Sequence, residues 1–428
     1  TTRLHRRRPA SAVLTRPRVG VVATASGDGW AELPLLVHRV CGALACAADV
    51  TLLLVDRVAR PPENDGAVRV LTFVGPVPDR RKELAQRRAL FGPDPVCDGG
   101  IDCACTTALR ESLARYLPVA AQEVLLRSAG GDSPELFAHL RSLPYDVVVF
   151  AGCATASTYW GLEAVAGRRR TVLVPGAIDD PVLAIPAVVG VLRGVDAVLV
   201  TTDHEADLVA RCGAGPARER LHNVGFVLQV ADLSSRTAPY GFDAGPTFVV
   251  AGDWNEPLRG HDRVVAWATR LRDDLGGRAA VRFVGPGVQR LPAWARAPFT
   301  SARVDAWRWM ARARAVIDPA PHRIVGRTAL ESLLFGIPVI VPADGGASRH
   351  HAEAGDGGLW YWSYGEFHAC VTALLDSELS STLGTQGRAY AERHYCDTDG
   401  FVRRVEAATL GTAAVPTSPG ATGAGSGR

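Results

Sequence analysis

Lysine is nearly absent from this chain. Of the 47 lysine and arginine residues among 428, only Lys82 is a lysine. Schiff-base and pyridoxal-phosphate chemistry need a lysine amine, and Lys82 lies in the charged run DRRKELAQRR, which reads as a solvated helix face. Apolar runs long enough for a membrane span are missing too; the longest, residues 181–192, is short and carries Pro186. The N-terminus is basic, but Arg16, Pro17 and Arg18 break any signal-like apolar region, so 19–23 reads as a first buried strand. The net charge of +3 speaks against a dedicated nucleic-acid binder. The nine cysteines are scattered, and the one cluster, Cys97, Cys103 and Cys105, matches no structural zinc spacing. The expectation is a soluble, reduced, cytoplasmic protein with no bound metal and no transmembrane segment.

What is present is ordinary globular material, 47% hydrophobic and 21% charged, in a length that predicts two or three domains. Short β-branched runs at 18–25, 50–55, 145–151, 171–174 and 197–201 alternate with helical segments and predict a parallel α/β sheet covered on both faces. The stretch ADLSSRTAPYGFDAGP, 231–246, reads as a linker. A second series follows, with strands at 247–251, 280–284, 315–317 and 337–341. The expected organisation is a basic N-terminus (1–17), a Rossmann-like domain (18–230), the linker, a second Rossmann-like domain (247–410) and a disordered Gly/Ala/Ser/Thr/Pro tail (411–428). Ligands of such folds sit beyond the carboxyl ends of the strands.

The most informative stretch is HRIVGRTALESLLFGIPVIVP, residues 322–342. A loop enters an apolar helix at 328–335, Gly336 stops it, and a strand restarts. Thr328 can cap the helix and Glu331, three residues on, can close a capping box. The functional alternative is that the amides of Arg327 and Thr328, at a positive helix end, receive a phosphate while Glu331 accepts from sugar hydroxyls. The other loops after the strands of this half carry Gly252, with Arg259 just before a helix; then Gly285 and Gly287; then Gly345 and Gly346. Glycine permits close backbone approach, and arginine forks onto phosphate oxygens. One such turn is weak evidence; four on the same side of one sheet favour the ligand role for Glu331. His350 and His351 read as a solvated loop, since adjacent histidines diverge.

The order strand–G…RG–helix, strand–GxG, DP, G-x4-E-x4-G-x-P-V, then GG resembles the C-terminal half of GT-B glycosyltransferases, most nearly the retaining group called glycosyltransferase family 4. SGDGWAE in the first half resembles that group's GGxE loop. The resemblance implies two Rossmann-like domains with parallel sheets facing across a cleft. It implies transfer of a sugar from a nucleotide-diphosphate sugar with retention and without a metal or other cofactor. Carried over, Glu331 holds the ribose; Gly326 with the amides of Arg327 and Thr328 holds the diphosphate; and Arg259 neutralises the leaving group. Gly29 matches the first-domain loop, as does Glu32, placed with Asp179 on the acceptor side. The chain departs from the pattern at Arg323, where the group keeps a carboxylate, at Asp253, where a basic residue is usual, and at PGAIDDP, where a histidine is often found. Arg323 and Arg327 then offer compensating positive charge. A degenerate nucleotide- or glycan-binding protein and a nucleotide-sugar epimerase are the alternatives. A phosphorylase is excluded because the second half has no lysine. The base, the sugar, the acceptor (small molecule, glycan or lipid-linked) and the oligomeric state are not legible.

Overall fold

A computed structural model describes residues 16–25, 32–91, 102–142, 144–177, 179–212, 218–228, 245–254, 261–297, 303–321 and 323–411. The first sheet contains β1 (Arg18–Thr24), β2 (Asp49–Asp56), β3 (Glu63–Asp65), β4 (Val68–Val74), β5 (Val147–Ala151), β6 (Arg170–Val174), β7 (Ala197–Val200) and β8 (Leu221–Asn223). Their order is β3-β4-β2-β1-β5-β6-β7-β8, parallel throughout except for β3. The second sheet contains β9 (Thr247–Ala251), β10 (Ala280–Val284), β11 (Ala315–Ile317), β12 (Val339–Pro342) and β13 (Gly358–Tyr361), all parallel in the order β10-β9-β11-β12-β13. Strands such as VVVFA and TFVVA are buried at every position, as sheets covered on both faces require.

The helices of the first half are α1 (Glu32–Leu44), α2 (Arg80–Phe91), α3 (Asp102–Arg115), α4 (Val119–Ser128), α5 (Pro134–Ser142), α6 (Ala156–Val165), α7 (Pro186–Gly194) and α8 (Asp203–Arg211). Those of the second are α9 (His261–Leu275), α10 (Arg303–Met310), α11 (Arg327–Leu334), α12 (Ala347–Ala354), α13 (Tyr364–Ala373), α14 (Ser377–Tyr395) and α15 (Thr398–Leu410). Two parallel-sheet domains are therefore present, as the resemblance implies. The expected linker and both expected termini lie largely outside the described residues. No described helix is long and apolar enough to cross a membrane.

The structure corrects the last element. The sequence reading placed 400–410 in the second domain, but α15 packs on α1, β5 and β7 of the first. Arg170 of β6 donates to the carbonyls of Ala408 and Thr409 at 3.0 and 2.9 Å, and Arg404 donates to Val224 at 2.9 Å. Leu228 in turn donates its amide to the Tyr395 carbonyl at 2.9 Å. The chain thus crosses twice between domains, and one hydrophobic cluster joins Val37, Val40 and Phe226 to Leu330, Leu333 and Val405.

The crossover from β2 to β4 is unusual. Parallel neighbours are normally joined through a helix, yet residues 57–67 contribute only β3. On the α1 side of the sheet, α1 packs on β1 and β2, while Leu52, Leu54, Val68 and Val70 face a cavity.

His351 is a second correction. It lies in α12 rather than a loop and is fully buried. Its Nε2 donates to the Val325 carbonyl at 2.7 Å, which leaves Nδ1 to accept from the Tyr390 hydroxyl at 3.1 Å. Burial, reinforced by the neighbouring His350, His204 and His394, pulls its pKa down to about 3 despite the carbonyl partner. The folded state thus holds His351 neutral, while the unfolded chain takes up a proton below about 6.5. Stability is unaffected by this group above that pH and falls as pH drops from about 6.5 toward 3. Urea unfolding of the wild type and His351→Gln between pH 7 and 4 is expected to show a shallower pH slope in the variant, by up to about one proton.

Candidate functional site

The loops after β9, β10, β11 and β12 emerge at one end of the second sheet, as parallel strands require. Gly326 is where the backbone most needs glycine. Its φ is +69°, and a Cβ there would stand 2.8 Å from the Ser348 amide. It caps α11 from the left-handed region with no side-chain cap bond, so Thr328 lies inside the first turn and the expected capping box does not form. The loop before it is pinned on both sides. Arg323 bridges to Gly346, His351 holds Val325, and Asp318 accepts from Ser348 Oγ at 2.8 Å.

The amides of this loop already hold an anion. Glu32, the first residue of α1, sends its carboxylate across the interdomain cleft. It accepts from the amides of Ile324 (3.0 Å), Val325 (3.0 Å) and Arg327 (2.9 Å). Three convergent N–H groups at a helix N-terminus suit a negative charge. Glu32, expected on the acceptor side, therefore occupies the phosphate cradle expected at Arg327.

Three arginines surround this point, and each meets a carboxylate. Arg327 Nε donates to Glu331 at 2.8 Å, Arg303 donates to both Glu331 oxygens and, at 3.4 Å, to Thr328 Oγ1, and Arg323 donates to Asp318 at 3.2 Å. Glu331 and Asp318 are fully buried. Burial works against the charge on Arg323, but Asp318 and then Glu32 outweigh it and hold its pKa above the ordinary value. At Arg303 burial prevails over Glu331 and, with Arg327 adding to it, lowers the pKa. Glu331 thus orients two guanidiniums; among the described residues it does not line the cavity that Arg303, Arg323, Arg327 and Thr328 line. Its expected contact with ribose hydroxyls is not preformed. Arg303, twenty-eight positions from Glu331, was not singled out from the sequence, since no local pattern couples them. Arg323 Nε is buried without a hydrogen-bond partner among the described residues, and such orphan donors ask for an explanation.

The other expected residues divide. Gly252 and Gly285–Gly287 serve turns: the Gly252 amide donates to the Val284 carbonyl and Gly287 begins a 3-10 turn. Gly345 and Gly346 lead into α12. None of these glycines lines the cavity, whereas Asp253, a buried residue, does. Arg259 and Gly29 lie outside the described residues. Asp179 is exposed; its neighbour Asp180 instead faces the cavity, pairs with Arg87 at 2.5 Å and accepts from the Val182 amide. Glu83 holds the same Arg87 at 2.6 Å, and these partners outweigh burial to raise the Arg87 pKa. Beneath the first domain's loops, buried Glu205 ties the ends of β6 and β7 by accepting from the amides of Ala177 and Thr201 at 2.9 and 2.8 Å. Burial raises its pKa to about 7. The cavity enclosed by both domains has a volume of about 800 Å³. Among the described residues no group of three His, Cys, Asp or Glu side chains is placed to hold a metal ion.

Glu331 is the buried carboxylate that Arg303 and Arg327 share, so its removal takes a counter-charge from two nearly buried cations. Glu331→Ala is expected to cost about 3–5 kcal/mol of stability by chemical denaturation; an exposed hydroxyl ligand would cost well under 1 kcal/mol.

No family model matches the chain, and no curated protein sequence does. Solved structures match over nearly its whole length. A sucrose-phosphate synthase from Thermosynechococcus elongatus shares 14% identity at a TM-score of 0.63, over 91% of this chain and 97% of that one. WaaG, a glycosyltransferase involved in lipopolysaccharide biosynthesis, shares 14% at 0.59, over 92% and 100%. Anabaena HepE in complex with UDP shares 15% at 0.60, over 92% and 100%. The chain has the GT-B fold of these glycosyltransferases, two parallel-sheet α/β domains closed around one cleft.

Proposed function

We propose that the protein transfers a sugar from a nucleoside-diphosphate sugar to a hydroxyl-bearing acceptor. The observation that carries this reading is the Glu32 carboxylate seated on three amides at the N-terminus of α11. A site that holds a carboxylate in this way suits a phosphate, which brings more charge and more acceptor oxygens to the same donors. The donor diphosphate would displace Glu32, take the amides of Ile324, Val325 and Arg327, and meet Arg323, whose Nε still has a proton to give. Arg303 and Arg327, held by Glu331, are aimed before the ligand arrives, so they cost little reorganisation as charge develops on the leaving diphosphate. Fixed cations of this kind support departure without a metal. Front-face substitution with retention is the stereochemical course that the family resemblance implies. The acceptor hydroxyl is assigned to the first-domain wall, where Asp180 is held by Arg87. HepE was solved with UDP and with UDP-glucose, which makes UDP-glucose the first donor to try.

The test is a thermal-shift panel of UDP-, GDP-, ADP- and TDP-sugars with wild type, Arg323→Ala and Glu32→Ala. A cognate donor at one hundred times its Kd adds about 2.7 kcal/mol of stability by mass action. Arg323→Ala is expected to weaken binding about ten-fold or more, the loss of a charge-assisted hydrogen bond. Glu32→Ala is expected to tighten binding of the nucleoside diphosphate, because it removes the competing anion. Absence of any shift at millimolar nucleotide sugar would overturn the reading. Binding without release of free nucleotide, even at long incubation with broad acceptor mixtures, would leave a nucleotide-binding protein in place of an enzyme; the internal pairing of all three arginines is what favours that second reading.

A further inference from the structure

The cavity extends well past the charged cluster. From the cleft it runs into the first domain, between α1 and the faces of β2 and β4 that the helix-free crossover leaves uncovered. One wall is a stripe that runs along α1 as Leu33, Val37 and Cys41 and continues to Ala45 just past its end, whose amide still donates to the Cys41 carbonyl; each is four residues after the last. At 1.5 Å per residue the stripe is about 18 Å long. The opposite wall is Leu52 and Leu54 of β2 with Val68 and Val70 of β4, alternate residues on one face of the sheet. Leu33, Leu52 and Leu54 remain only partly buried, so apolar surface is left in contact with water. Cys41 counts as a small apolar group here. Charged groups border the apolar walls. Glu83, Arg87 and Asp180 line the cavity, as do the pair Asp56 and Arg60, 2.8 Å apart just beyond Leu54, and the exposed pair His38 and Asp65, 3.6 Å apart beside Val37 and Val68.

We propose that this trough is the acceptor subsite for an aliphatic chain. The acceptor is an amphiphile whose hydroxyl lies at the Asp180 end and whose hydrocarbon runs along α1. Oligosaccharide acceptors fit the Leu and Val surfaces poorly, because a sugar ring pressed against them would lose its hydrogen bonds to water there. The trough is elongated and continuous with the proposed donor site, which a chain attached to a reacting head group requires. This assignment rests on the glycosyltransferase reading for the identity of the occupant as acceptor.

The experiment titrates the full chain with hexyl, octyl and decyl β-D-glucopyranoside, each below its micelle concentration, by isothermal titration calorimetry. Each added methylene buried in the trough is expected to lower Kd about three- to four-fold. Gly42 lines the trough, and a Cβ added there meets nothing within 4 Å. Gly42 is exposed, one turn after His38, so Gly42→Phe should fold, narrow the opening of the trough and weaken the dependence on chain length while leaving UDP-glucose binding unchanged. Leu54→Asn, on the opposite wall, should weaken the decyl compound more than the hexyl one and serves if Gly42→Phe is unstable. A Kd independent of chain length, or a slope untouched by both substitutions, would overturn the assignment. A flat slope beside intact UDP-glucose binding removes the trough alone. A steep, substitution-sensitive slope without any nucleotide-sugar binding removes the transferase reading and keeps the apolar site.

Discussion

The cleft is organised around a carboxylate that bridges the two domains. Glu32 begins α1 of the first domain, and its two oxygens satisfy three amides of the loop that opens α11 in the second. Those amides would otherwise be orphans at a partly buried helix end. Meeting them with a fixed negative charge joins the domains and defines where an anion belongs. The geometry depends on supports that never touch the carboxylate. Gly326 turns the chain in the left-handed region, His351 grips the Val325 carbonyl, and Asp318 is tied to Ser348 on α12. Remove any one and the three amides need no longer converge.

The same logic governs the arginines. Arg303, Arg323 and Arg327 are each held by an internal carboxylate, so the cleft is a set of matched charges. On the proposed function, a diphosphate arriving here would exchange partners with these groups. Such exchange favours specificity over raw affinity, because any ligand that fails to reproduce the hydrogen bonds of Glu32 leaves buried donors unmet. It also explains how the chain accommodates Arg323 where the resembling group keeps a carboxylate: Asp318, at the end of β11, supplies the negative charge from the other side of the loop.

Much of this fold is legible in the sequence. Fully apolar strands such as VVVFA and TFVVA, separated by helices and closed by glycine turns, leave few alternatives to parallel sheets; of the two candidate caps of α8, Thr202 and Asp203, the structure uses Thr202. What stayed hidden involves long-range charge pairing. The Thr328–Glu331 spacing is that of a capping box, but Gly326 takes the cap and frees Glu331 for Arg303, a partner from another helix. Asp179 and Asp180 are indistinguishable as letters; the 3-10 turn at Pro181–Ala184 buries the second and exposes the first. The pair His350–His351 resembles a polar loop until α12 turns one ring into the core. The helix-free crossover between β2 and β4 was likewise not singled out, though a parallel pair joined by so few residues is a sequence-level clue to an uncovered sheet face.

The central claim is that Glu32 holds the place of the donor diphosphate, and a crystal structure of the protein grown with UDP tests it most directly. The account predicts diphosphate oxygens within hydrogen-bond distance of the Ile324, Val325 and Arg327 amides, with the Glu32 carboxylate withdrawn from them. UDP bound elsewhere in the cleft, with Glu32 still seated on those three amides, would contradict it.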